Sequence, residues 1–251
     1  MRLDRRSFCS PILLAMVFSA PTFAQRGAAA GPPPTAKTTA AIDMTGYWVS
    51  VVTEDWRYRM VTPKKGDYPS IPLSPAGRQV ADAWDPAKDE AAGNQCKAYG
   101  AAGVIRIPGR LHITWENDNT MRVDTEAGTQ TRLFRFGNAA PAAEASWQGN
   151  SAAQWQPAGG RRGGPGGGGG LKIVTTKMKP GYLQKNGVPY SENALLTEYF
   201  EMTKEPSGDQ WLVVVAVVED PQYLNARYVR STHFKKLADG SEWKPAPCSA
   251  R

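Results

Sequence analysis

A period of two is the dominant rhythm of this chain; it leaves few folds open and marks ten candidate strands. They are 46–53, 104–107, 110–116, 120–125, 130–136, 146–156, 171–178, 194–203, 211–219 and 227–236. Successive side chains of a strand point to opposite faces, so a period of two gathers the apolar residues on one side of a sheet. Turns fall where the rhythm breaks: "ENDNT" at 116–120, "EPSGDQ" at 205–210 and the Asn186-Gly187 pair supply residues that tolerate tight reversals. Helix is predicted in one place, where Ser74 stands as an N-cap before Pro75 and the pattern runs to Trp84, ahead of the interrupting Pro86. The fold class predicted is all-β: an antiparallel up-and-down barrel of about ten strands with one helical insertion after the first strand. Closure is favoured because it removes the exposed edges of an open sheet.

The ends do not share this pattern. Residues 1–24 combine an arginine-rich start, an apolar run over 11–18 and small residues up to Ala24, which is the layout of a secretory signal. The apolar run is well short of the roughly 20 residues that span a bilayer, so stable membrane insertion is not expected. Arg5 and Arg6 resemble a twin-arginine export signal. The expected location is the periplasm or the outside of the cell. Residues 25–42 are small and Pro-rich and read as a flexible linker, and the Gly-rich run at 158–170 reads as a disordered hairpin loop. The barrel domain is then 43–251. A phosphate-binding role for the glycines is set aside because the run leads into a strand, not a helix.

Three cysteines are present, and Cys9 leaves with the signal. In an oxidising compartment Cys96 and Cys248 are expected to pair. The formal charge of +7 falls to +5 once residues 1–24 are removed, and the basic residues are scattered rather than gathered on one helix. Nucleic acid is therefore not an expected partner. No histidine or cysteine spacing marks a metal site, and no cofactor is expected.

Gly46-Tyr47-Trp48, at the start of the first strand, resembles the Gly-x-Trp signature of the lipocalin and calycin superfamily. The resemblance implies a barrel closed at one end by the Trp, with a basic residue of the last strand packed on it, Arg230 being the candidate. It implies a small hydrophobic ligand at the open end. The chain is also similar to secreted proteins of Gram-negative bacteria that share the opening "VTEDWR" (52–57), a likeness that implies no activity.

Candidate ligand-binding residues follow from charge and aromatic content. If the first strand continues through "TEDWRYRM", Asp55, Arg57 and Arg59 share one face and Trp56 and Tyr58 the other, a wall able to stack on a ring and grip a carboxylate. Arg132 on a strand, and Tyr182, Tyr190 and Tyr223 on loops, complete the ligand-binding set. The acid–base candidates are His112 and His233, with Glu198 and Tyr199. An Arg and a Glu on different barrel strands form either a structural ion pair across the lumen or a ligand-orienting pair. Three readings stay open: binding of a small hydrophobic or aromatic molecule in the lumen, a cofactor-free lyase or isomerase acting on such a molecule, and a structural or interaction module whose lumen is packed solid by Trp, Leu and Val. A homodimer is compatible with each.

Overall fold

The computed structural model describes residues 33–137, 144–157 and 169–250. The predicted signal, the first part of the linker and the Gly-rich run up to residue 168 lie outside them. Strand β1 is Gly46–Val51, followed by the helices α1 (Trp56–Met60), α2 (Pro75–Asp82), α3 (Pro86–Ala91) and α4 (Ala101–Val104), with a 3-10 turn at Lys97–Tyr99. Then come β2 (Arg110–Asn117), β3 (Thr120–Thr125), β4 (Ala127–Gly128), β5 (Gln130–Phe136), β6 (Asn150–Gln156) and β7 (Gly170–Thr176). After these lie β8 (Gly181–Gln184), β9 (Val188–Tyr190), β10 (Leu195–Lys204), β11 (Gln210–Glu219), β12 (Tyr228–Lys236) and β13 (Ala246–Pro247).

Nine of these strands close into a barrel in the order β1-β12-β11-β10-β7-β6-β5-β3-β2. The fold is all-β and barrel-shaped, as the alternation requires, but it is neither ten-stranded nor wholly antiparallel. Neighbours in a closed meander alternate in direction only if the strand number is even, so nine strands leave one parallel seam. That seam is β5 with β6, in register Phe134↔Ser151 and Phe136↔Ala153. β5 ends at Phe136 and β6 begins at Asn150, a separation long enough for the crossover that parallel neighbours need and a tight hairpin cannot supply.

Two predicted strands differ. Residues 104–107 finish α4 and the turn after it, and Val104 and Ile105 are apolar because they are buried from that turn. The first strand stops at Val51, and Trp56–Met60 is helical, so the faces expected for "TEDWRYRM" do not form. The predicted helix is α2, with Pro75 in its first turn and the Ser74 hydroxyl accepting from the Gly77 amide at 3.1 Å.

The barrel interior is occupied by side chains. Trp48, Ile113, Met121, Phe134, Leu171 and Phe200 belong to one cluster of fully buried residues. Tyr190, Leu196, Val218 and Tyr228 belong to a second, which also takes in Tyr68, Ala81 and Ala101 from the insertion. Trp48 donates from its indole to the Met44 carbonyl at 2.8 Å, and Lys236 lies over its ring at 5.4 Å. The cation on this Trp is thus Lys236 and not Arg230. The register pairs Trp48 with Lys236, and Arg230 stands six residues up the strand, roughly 20 Å away. Arg230 covers the Tyr228 ring instead.

Residues 33–42, read as the end of a linker, pack on the barrel: the Ala36 amide donates to Asn119 and the Trp155 indole donates to the Ala36 carbonyl, both at 2.8 Å. Cys96 and Cys248 form the expected disulfide. The β8–β9 hairpin turns through Asn186-Gly187, with Gly187 at φ +85°. Gly181 in that hairpin makes room for a buried phenol, because a Cβ there would stand 2.5 Å from the Tyr190 hydroxyl and 2.6 Å from the Lys97 carbonyl oxygen. Gly181→Ala is therefore expected to lower stability by about 1–3 kcal/mol, measured by urea unfolding.

Candidate functional site

Arg132 and Glu198 meet inside the barrel as a bidentate pair with side chains 1% and 0% exposed. Arg132 also donates to Thr175, whose hydroxyl joins that of Ser151 at 2.8 Å. With Phe134 packed against the guanidinium, this pair ties β5 to β10 across the barrel interior. Tyr199 follows Glu198 on the strand and so faces outward, near Lys172. Tyr190 is fully buried, and that burial pushes its hydroxyl pKa well up.

The two histidines are both on the outer face and are not brought together. His112 stacks flat on Tyr47, ring centres 4.0 Å apart, with Trp243 at their edge. His233 is opposite Val51, four residues further along β1. The acid–base set of His112, His233, Glu198 and Tyr199 therefore does not share one cavity. The tyrosines are also separated: Tyr182 donates to Asp89 at 2.7 Å, and Tyr223 gives its backbone carbonyl to the Ser74 amide at 2.9 Å. Burial first, then the Asp89 carboxylate, pushes the Tyr182 hydroxyl pKa up.

What the sequence does mark is the shoulder where β1 ends. Beyond Val51 the chain leaves β12 and reverses at Asp55, a non-glycine residue at φ +50°. Asp55 is held by Arg106 at 2.9 Å and Arg230 at 3.2 Å, which fixes the left-handed backbone that an Asp adopts at some cost. Glu54 pairs with Arg59, and the Arg59 Nε donates to the Arg106 carbonyl at 2.9 Å. Three arginines and two carboxylates thus gather where the chain leaves β1. Trp56 and Arg57, expected in a wall, point outward instead: Trp56 is 66% exposed, and Arg57 reaches Asp67 at 3.3 Å. A helix of five residues turns them away from Arg59, which the extended pattern would have kept beside Arg57.

Beneath α1 lies a cleft of about 50 Å³, lined by Tyr58, Arg59, Arg106, Leu183, Gln184 and Lys185 among others. Ligand pockets for drug-sized molecules are about 300–1,000 Å³, so this one accepts a functional group and leaves the rest of a ligand at the surface. Among the described residues, the buried Arg59 Nη2 and the Gln184 Oε1, both belonging to lining residues, have no hydrogen-bond partner. Burial pushes the Arg59 pKa down; Glu54 opposes this and Arg106 adds to it. A cation held in that setting is stabilised by any further anion. Sequence reading missed Arg106 and Gln184, although a charged residue inside the apolar run "GVIRIP" was a visible signal, since such a residue is buried only with partners.

His233 is held on the other side of the same ion cluster. Its Nδ1 stands 3.0 Å from the Thr53 hydroxyl and 3.3 Å from Glu54 Oε2, while its Nε2 stands 2.9 Å from the Ser231 hydroxyl. Thr53 donates to Glu54 at 2.9 Å, so its oxygen is left to accept from Nδ1–H. In the neutral tautomer that this arrangement favours, Nε2 is the acceptor for the Ser231 hydroxyl. Among the described residues no group of three or more His, Cys, Asp and Glu is placed to hold a metal ion. Compared with known protein families, curated proteins and solved structures, the chain matches none of them.

Proposed function

We propose that this chain binds a small molecule bearing a carboxylate or similar anion, received by the cleft beneath α1 and not by the lumen. The observation that carries this reading is Arg59, which lines that cleft with a side chain 2% exposed and whose buried Nη2 has no hydrogen-bond partner among the described residues. Tyr58 and Leu183 supply apolar surface beside it, and Gln184 supplies an acceptor for a donor on the ligand. The resemblance of Gly46-Tyr47-Trp48 to the lipocalin signature supports small-molecule binding at the end of the barrel away from the Trp. The signal-like first residues and the disulfide support a periplasmic or secreted setting.

Benzoate serves as the probe. It is expected to raise the melting temperature of the folded chain, whereas benzamide, the uncharged counterpart, leaves it unchanged. Arg59→Lys keeps a cation for Glu54 but removes the second arm, and is expected to weaken benzoate binding about tenfold, or about 1.4 kcal/mol. Equal stabilisation by the two probes, or benzoate binding indifferent to Arg59→Lys, contradicts the reading.

A further inference from the structure

The geometry around His233 points to a second activity: we infer that Ser231, His233 and Glu54 form a nucleophile–base–carboxylate relay that cleaves esters of small apolar acids on the outer face of the barrel. This does not depend on the cleft's ligand. The three groups stand in the order the chemistry needs: hydroxyl to Nε2 at 2.9 Å, and Nδ1 to carboxylate at 3.3 Å with the Thr53 hydroxyl bridging. A serine becomes a nucleophile when an adjacent base takes its proton and a third group fixes the base's tautomer and orientation. Thr53 and Glu54 do the fixing here.

The local fold explains the arrangement. Ser231 and His233 are two residues apart on β12 and share its outer face. β1 ends opposite His233, so the chain can bring Thr53 and Glu54 back over the imidazole. Glu54 is itself clamped by Arg59, and Arg106 donates to the Ser231 backbone carbonyl at 3.2 Å, which fixes that stretch of β12. The site is reachable: the His233 and Glu54 side chains are 31% and 25% exposed, and Ser231 is partly exposed.

The surface around Ser231 is unusually apolar for the outside of a barrel. Val215 lies directly across from it on β11, flanked by the half-buried Val213 and Val217, and Val229, 47% exposed, is its neighbour on the same face of β12. A short acyl chain fits such a strip. In the reaction, Ser231 Oγ attacks the ester carbonyl carbon as its proton passes to His233 Nε2. The ester C–O bond then breaks, and the departing alkoxide takes that proton. Water, deprotonated by the same Nε2, adds to the acyl carbon; the bond from that carbon to Ser231 Oγ breaks, the acid leaves, and Oγ takes the proton back from Nε2.

The test uses p-nitrophenyl butyrate turnover and a fluorophosphonate probe with mass analysis of the labelled peptide, on the folded full chain. A phosphonyl adduct on Ser231 is expected, absent in Ser231→Ala. Turnover is expected to fall about 100-fold or more in Ser231→Ala and in His233→Gln, with thermal melts showing that both variants fold. Turnover in Glu54→Gln is expected to fall by a smaller factor. No adduct on Ser231, an adduct elsewhere only, or turnover that survives Ser231→Ala in a folded variant overturns the inference. Benzoate binding that persists in Ser231→Ala separates this activity from the cleft.

Discussion

Glu198→Ala is expected to lower the stability of the folded chain by about 3–5 kcal/mol, seen as a shift of the urea midpoint. The size of the effect comes from what remains behind. Arg132 is 1% exposed, its two terminal nitrogens are spent on Glu198, and the one other partner of those nitrogens is the Thr175 hydroxyl at 3.4 Å. Removing the carboxylate leaves a buried guanidinium with the Thr175 hydroxyl in place of a counter-charge, beside Phe134, whose ring is 4.9 Å from it. Replacing both partners together, as Arg132→Met with Glu198→Leu, removes the stranded charge and is expected to recover most of the loss. A double variant no more stable than Glu198→Ala would mean that the pair contributes through something other than mutual neutralisation.

The second large effect is the disulfide. Cys96 and Cys248 are 152 residues apart, and a cross-link over such a loop restricts the unfolded chain by an amount worth about 4–5 kcal/mol. It also holds the C-terminal strap in place. That strap runs over the barrel as β13 beside β4, with the Lys244 amide on Glu126 at 2.6 Å and the Ala246 amide on the Glu126 carbonyl at 2.9 Å. The variant with both cysteines replaced by serine is expected to unfold at markedly lower urea than the oxidised chain, and a reducing agent is expected to shift the oxidised chain to nearly the same midpoint. Equal midpoints for the oxidised and the double-serine chains would contradict this.

Much of the barrel was legible because its signal is local. The period of two placed β2, β3, β5 and β12 within a residue or two, and the unbroken apolar run of 211–218 placed β11. Strand parity is not local: nothing within 130–136 or 150–156 says that these two strands run the same way. The Trp48 end was legible in kind but not in residue, because register and not composition decides that Lys236, and not Arg230, stands over the ring. Alternation also could not say which face is inside. His112 and His233 sat on well-defined faces, and both proved to be outer ones.

The candidate site was legible in part for a similar reason. "TEDWRYRM" carries its charges openly, but its arrangement depends on β1 stopping at Val51 and on Asp55 taking a left-handed backbone, which long-range pairing with Arg106 and Arg230 supports. Ser231 looks like any strand serine until Thr53 and Glu54 are folded onto His233. Both features arise from contacts between residues 50 to 180 positions apart.

The central proposition is that small molecules meet this protein at the arginine-lined cleft, while its stem is filled by its own side chains. Titrating benzoate into the ¹⁵N-labelled chain and following its backbone amide resonances tests this most directly. Shifts centred on Arg59, Arg106, Gln184 and Lys185 are expected; shifts centred on Trp48, Phe134 and Phe200, with those four residues unmoved, would contradict it.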